Sequence, residues 1–285
     1  MANRYVTVPA ALRRKECQKK EWPTHKPLCN FSEKRHDAEA RVFGFRDENE
    51  LSSALRDFIM AHMLTLQAYA KAELALKGGT QYMSNPPRQL EFNLKCRCTR
   101  GSLTLDPAST FELVGSRWET IEEYTSEPHN ALNWEGSAAS REMIQREYGG
   151  DPRYIGALPV QFAVEGFSPN SGMVFPQHRS LAPFLQAPHV SGEDVRKMLA
   201  DALVICVGSI RLGLALRSVE SQIGVSCAPL PGCYVRTNRR WNWEPLLTNW
   251  EQYLKGPRGI QKVDSLGYIP AARRALHRPG SSALI

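Results

Sequence analysis

The sequence contains neither G-x-x-x-x-G-K-[ST] nor G-x-G-x-x-G, and its 20 glycines are scattered. Without those loops the chain has no legible backbone cradle for nucleotide phosphates, which sets aside the P-loop and dinucleotide-binding classes. No apolar run follows Met1, so no secretory signal is legible. Long hydrophobic runs are missing too. The best candidate, VRKMLADALVICVGSIRLGLAL at 195–216, carries Arg196, Lys197, Asp201 and Arg211, and its uncharged stretch from Ala202 to Ile210 is nine residues. A bilayer needs about 20, so this segment reads as a buried core helix and no membrane partner is expected. A catalytic triad is also lacking. His129, His178 and His189 stand isolated in loop-like sequence near Pro128, Pro176 and Pro188, and none pairs legibly with a carboxylate.

What remains is an ordinary globular composition. The 285 residues are 42% hydrophobic and 23% charged, values that favour one or two packed domains over disorder. The net charge of +7 is concentrated at the ends, in Arg13, Arg14, Lys15, Lys19 and Lys20 at the start and Arg258, Lys262, Arg273, Arg274 and Arg278 at the finish. Such a balance permits contact with nucleic acid without demanding it, and solvated basic ends are the commoner outcome. Seven cysteines with no signal segment point to a reducing compartment, cytoplasmic or nuclear, where thiols stay free or hold metal.

The hydrophobic pattern predicts an α+β chain. Residues 1–30 are short, basic and Cys/His-bearing, and 31–47 read as a polar connector containing Gly44. Leu51, Leu55, Phe58, Ile59, His62, Met63 and Leu66 then recur at helical period, predicting one helix over 48–77 with Asn49 as N-cap and Gly78-Gly79 as the stop. In RQLEFNLKCRC the period falls to two: Leu90, Phe92, Leu94, Cys96 and Cys98 alternate with polar residues, predicting a strand with one wet face. SLTL at 102–105, TFELV at 110–114, ALPVQFAVEGF from Ala157 and GMVF near 172 are further strands. A helix capped by Ser191 is predicted over 192–217, and a last helix over WNWEPLLTNWEQYLKG at 241–256. Strands grouped between helices favour a mixed helix and antiparallel-sheet body over 48–256, without βαβ repeats, followed by a flexible basic tail at 257–285.

The opening thirty residues carry the most specific chemistry. Cys17, His25 and Cys29 stand as C-x7-H-x3-C, a spacing that can bring two thiolates and an imidazole to one small unit, and zinc favours such ligands in tetrahedral sets of four. With Gln18, Trp22, Pro23 and Lys26 in place, CQKKEWPTHKPLC at 17–29 resembles the closing half of a MYND-type zinc finger. The resemblance covers thirteen to seventeen residues of the chain. It implies eight ligands on two interleaved zinc ions, with Cys17 serving the first and His25 with Cys29 the second. The cysteine expected four residues before Cys17 is Arg13 here, and MANRYVTVPAAL holds no cysteine. One site therefore keeps one ligand of four and the other keeps two. Either the missing ligands lie upstream, with Met1 a mis-assigned or alternative start, or the finger is lost and residues 12–28 persist as a short basic helix.

MYND fingers typically grip short proline-containing peptides, so the resemblance implies a zinc-binding protein-interaction adaptor. They also occur within SET-domain lysine methyltransferases, which carry an asparagine-histidine cofactor motif. The nearest string here, PHNALNW at 128–134, has that order reversed. No catalytic or cofactor-binding residue is nominated, and methyltransferase and nucleic-acid binder stand as the competing classes. Cys96-x-Cys98 and the Cys227/Cys233 pair could in principle add metal ligands, but packed thiols are the plainer reading. His62, on the apolar helix stripe, reads as a packed core histidine.

Overall fold

The computed structural model describes residues 35–98, 106–168, 170–178, 191–218 and 229–248. The architecture is α+β, as the pattern predicts. Contacts divide the chain into two interleaved units. One holds the chain up to Ser53, Thr80–Leu103 and Val114–His178; the other holds Ala54–Gly79, Thr104–Leu113 and the chain from Arg179 on.

The predicted connector is partly helical. Residues 35–42 form α1, because Ala40 and Phe45 find buried positions and Glu39 accepts hydrogen bonds from the Ser168 backbone N–H and hydroxyl, both at 2.9 Å. The predicted single helix over 48–77 is two: α2 spans Glu48–Ala61 and α3 spans Met63–Lys77, jointed at His62. Asp47, not Asn49, precedes α2, and its Oδ1 accepts the Glu50 N–H at 2.9 Å. The stop at Gly78 is as read. Its φ of 114° suits a residue without Cβ, and the Gly79 N–H closes on Leu74 O at 2.8 Å.

The first sheet has the order β2-β1-β3-β4, with β1 Arg88–Cys96, β2 Phe111–Thr120, β3 Tyr154–Val164 and β4 Ser171–His178. The expected hairpin of ALPVQFAV with GMVF is present, with Val160 opposite Met173 and antiparallel pairing. The sheet also holds a parallel pair. β1 and β3 run parallel, Phe92 beside Phe162, joined through β2 and the helices α5 Ile121–Thr125, α6 Pro128–Gly136 and α7 Ala138–Tyr148. Parallel pairing needs a long crossover, and period alone does not reveal it. The predicted wet face of β1 is dry at its start and wet further on: Gln89 is fully buried and Glu91 nearly so, like Leu90, Phe92 and Leu94, whereas Asn93 is half-buried and Lys95 exposed. The Gln89 amide donates to Glu119 at 2.7 Å, its Oε1 having no partner among the described residues, and Arg117 pairs with Glu91 at 3.2 Å. The short α4, Thr80–Ser84, packs on β1 and β3, and α7 packs on β3 and β4.

In the other unit α8 packs on α3 through buried Cys206, Ser209 and Ile210. Ser191 caps it in a full capping box with Asp194. The predicted 192–217 helix stops early, α8 ending at Arg211, because Gly213 turns at φ 66° with the Ser109 side chain against it, leaving no room for a Cβ. The next residues form β5, Ala215–Arg217, beside β6 Leu230–Thr237 and β7 Arg240–Pro245. The last predicted helix is therefore a strand where it is described. Asn238 and Arg239, both at positive φ, make a two-residue hairpin turn that pairs Tyr234 with Trp243 and Arg236 with Trp241. Trp250, Leu254 and Gly256, like SLTL at 102–105 and the tail at 257–285, lie outside the described residues.

Phe92 stacks on Phe162 with ring centroids 5.5 Å apart and is fully buried. Phe92→Ala is expected to cost about 3–5 kcal/mol in urea unfolding. A loss under about 1 kcal/mol would remove Phe92 from the core.

Candidate functional site

The nominated zinc ligands Cys17, His25 and Cys29 lie outside the described residues. Among the described residues no group of three or more His, Cys, Asp or Glu side chains is placed to hold a metal ion. Cys96 ends β1 and Cys98 lies just beyond it, so the pair does not share a strand face as its spacing suggests. Instead the Cys98 backbone N–H points to Cys96 Sγ at 3.4 Å, and the hydrogen bond between the two thiols holds Cys96 below and Cys98 above the ordinary thiol range. Cys233 sits on β6 against Leu214, Leu230 and Leu247, and Cys227 is not among the described residues.

His62 is a core histidine, as its place on the stripe predicts. It is fully buried, its Nε2–H donates to the Ala108 carbonyl at 2.9 Å, and its ring lies edge-on to Phe58. Nδ1 has no hydrogen-bond partner among the described residues, so the neutral ring is the form this pocket accepts. Burial pushes its pKa down to about 4, against smaller upward pulls from Ala108 and Asp106. His129 is helical rather than in a loop, in α6. His178, read as unpaired, lies on β4 with Nε2 3.9 Å from Asp151 Oδ2, between Tyr148 and Tyr154. That carboxylate is also clamped by the Arg153 side chain and backbone, which hold its pKa at about 2.

A cleft of about 520 Å³ lies in the first unit where α4, β3, α5, α6 and α7 converge. Its walls are set by local rules. Thr120 and Glu123 form a capping box that starts α5 directly after β2, and the Ile121 N–H donates to Pro87 O at 2.9 Å. On one side Arg88 lies 4.3 Å from the Tyr82 ring centroid and donates from Nη1 to Tyr82 O and Pro86 O. On the other, Pro128 opens α6 at its first turn, where its missing N–H costs nothing. Arg141 of α7 stacks 3.6 Å over the Trp134 ring of α6, and its Nη1 donates to Trp134 O at 2.8 Å and to Ser137 Oγ. Met83, Pro86, Pro87, Ile121 and Pro159 supply an apolar lining, with Glu122 exposed at the rim.

The lining contains no His, Cys, Asp or Lys. Its hydroxyls are Ser84 and Thr120, and the Thr120 Oγ1 already accepts the Glu123 N–H at 3.1 Å and donates to Glu123 Oε2 at 2.8 Å. The lining offers apolar area, an indole and two guanidiniums. The sequence reading missed this cleft. The usable signals were Pro86-Pro87 and the seven-residue spacing of Trp134 and Arg141, but the joint at Ser137 between α6 and α7 hides the latter from a single-helix pattern. Comparison with protein-family models, with curated proteins and with solved structures finds no match.

The His62 environment sets a pH window. With a folded pKa of about 4 and an unfolded value of about 6.5, the unfolded chain binds the extra proton between those limits. Stability is therefore expected to fall as pH drops from 6.5 and to level off below 4, by about 3 kcal/mol in all from this residue. His62→Gln should flatten that slope in urea unfolding at pH 7, 5.5 and 4. An unchanged slope would show that His62 is not the titrating group.

Proposed function

We propose that this chain is a MYND-type zinc-finger protein acting as a protein-interaction adaptor, with Cys17, His25 and Cys29 belonging to its zinc scheme. The observation that carries the reading is the run CQKKEWPTHKPLC, in which ligand spacing, Trp22 and the His25-Lys26 pair occur together. The donor set fits zinc in kind, two sulfurs and one nitrogen, and falls short of a closed tetrahedron in number. Structural zinc contributes folding free energy when its ligand set is complete, so the segment needs further ligands to hold metal tightly. The expected partner is a proline-containing peptide, and the expected compartment is cytoplasmic or nuclear. No described helix is long and apolar enough to cross a membrane.

Metal content after dialysis against a mild chelator tests it. The 285-residue chain is expected to retain well under one zinc. A chimera with the paired-cysteine half of a MYND finger fused ahead of Met1, and with Arg13→Cys supplying the fifth missing ligand, is expected to retain two, falling on Cys17→Ala or His25→Ala. One full equivalent on the unfused chain, lost on Cys17→Ala, would overturn the incomplete-set reading. A chimera indifferent to both substitutions would overturn the MYND assignment. Calorimetry with S-adenosylmethionine is expected to show no binding. Saturable binding tighter than about 100 μM, beyond roughly 5 kcal/mol, would instead move the chain to the methyltransferase class.

A further inference from the structure

We propose that the cleft between α4, β3, α5, α6 and α7 is a binding site for a small organic carboxylate with an apolar body, and that Arg141 is the residue that recognises the carboxylate. The inference is independent of the zinc reading.

The first support is the state of Arg141. Among the described residues of the same unit, Arg35, Arg117 and Arg153 are more than half exposed, yet each is paired with a carboxylate. Arg141 is the more buried and has no carboxylate within ion-pair distance among the described residues. Burial lowers its pKa, and Glu142, its chain neighbour, offsets this only in part. Removing a guanidinium from water without a counter-ion is unfavourable unless a partner arrives. The Trp134 ring and the carbonyl at the end of α6 supply some compensation through one face and one nitrogen. Nε and Nη2 keep their N–H groups without an acceptor among the described residues, and that edge is the fork a carboxylate accepts in bidentate fashion.

The second support is the cleft itself. Its volume of about 520 Å³ falls within the range of small-molecule sites, about 300–1,000 Å³, rather than that of a protein interface. Trp134, Met83, Ile121, Pro86, Pro87 and Pro159 give it apolar walls. Arg88 adds a second guanidinium opposite, anchored by the Tyr82 ring and the Tyr82, Asn85 and Pro86 carbonyls. Glu122 is the one acid in the lining and is exposed, so the lining carries two positive groups against one negative. A ligand that fills this space must be apolar over most of its surface and anionic at one end.

The probe pair is 4-phenylbutyrate and its neutral amide, 4-phenylbutyramide, titrated into the full chain by saturation-transfer NMR and calorimetry. The acid is expected to bind in the millimolar range and the amide about tenfold or more weaker, the difference shrinking as salt rises. Inorganic phosphate alone should bind far more weakly than the acid. Arg141→Gln is expected to bind acid and amide alike, and Arg141→Lys to restore part of the preference, since it keeps the charge and loses the fork. Arg141 also closes the end of α6, so Glu122→Gln provides a variant that leaves this contact intact. It should strengthen the acid by a few-fold and leave the amide unchanged. Equal affinity of acid and amide for the wild-type chain, no binding of either at 10 mM, phosphate binding as well as the acid, or an acid/amide ratio unmoved by Glu122→Gln would each overturn the proposal.

Discussion

The parallel pairing of β1 with β3 is the constraint on which the first unit rests. It places Phe92 against Phe162, and β1 is buried on both faces over Gln89–Phe92. A strand so enclosed favours partners for its buried polar side chains, because an unpaired buried polar group loses its water without replacement. Gln89 and Glu91 find theirs in Glu119 and Arg117. Burial pushes the Glu91 carboxyl pKa up even so, with Arg117 pulling against it. The same pairing demands a crossover, and α5, α6 and α7 lie within it. The cleft is thus a consequence of topology: its helical walls belong to the connection that parallel strands need, while Ala157 and Pro159 come from the strand that connection reaches.

The two units share no motif but show the same local economy in ending and starting helices. Thr120-Glu123 and Ser191-Asp194 are both reciprocal capping boxes, each joining two orphan backbone donors to side-chain oxygens. Both were open to a reader of the sequence in principle, and Ser191 was read. Thr120 was missed because it doubles as the last residue of β2, where period-two sequence gives no warning that a helix follows at once.

Legibility elsewhere divides along a similar line. Features set by local chemistry read correctly: the Gly78 stop, the β3–β4 hairpin, the buried Leu90-Phe92-Leu94 face and the core place of His62. Features set by distant partners did not. The joint in the long helix falls at a residue whose ring reaches Ala108, 46 positions away in sequence. The early end of α8 depends on the Ser109 side chain facing Gly213. The strand at Trp241 and Trp243 was read as helix because spaced tryptophans suit either period, and the deciding turn needed Asn238 and Arg239 at positive φ, which an Asn-Arg pair signals far less strongly than Asn-Gly. The cleft had no single-segment signal at all, since each wall is unremarkable in sequence and the concavity exists only where five elements meet.

The finger-like segment and the cleft are proposed for two kinds of recognition, and the physics of each limits what it can do alone. A partial ligand set cannot hold zinc tightly, whatever its resemblance, since the stabilisation of a small metal site arrives with closure of the coordination sphere. The cleft has the opposite limit. A ligand of about a dozen non-hydrogen atoms, at roughly 0.3–0.5 kcal/mol per atom, gains about 4–6 kcal/mol, which corresponds to affinities between millimolar and tens of micromolar. Affinity is therefore a poor measure of whether the cleft is a site, because any apolar concavity of its size reaches similar values. Discrimination is the better measure. An apolar hollow treats an acid and its amide alike or prefers the amide, since desolvating a carboxylate is the costlier step. Preference for the acid requires a cation whose own desolvation has already occurred on folding, and the half-buried guanidinium of Arg141, stacked on Trp134 with an open Nε/Nη2 edge, is in that condition.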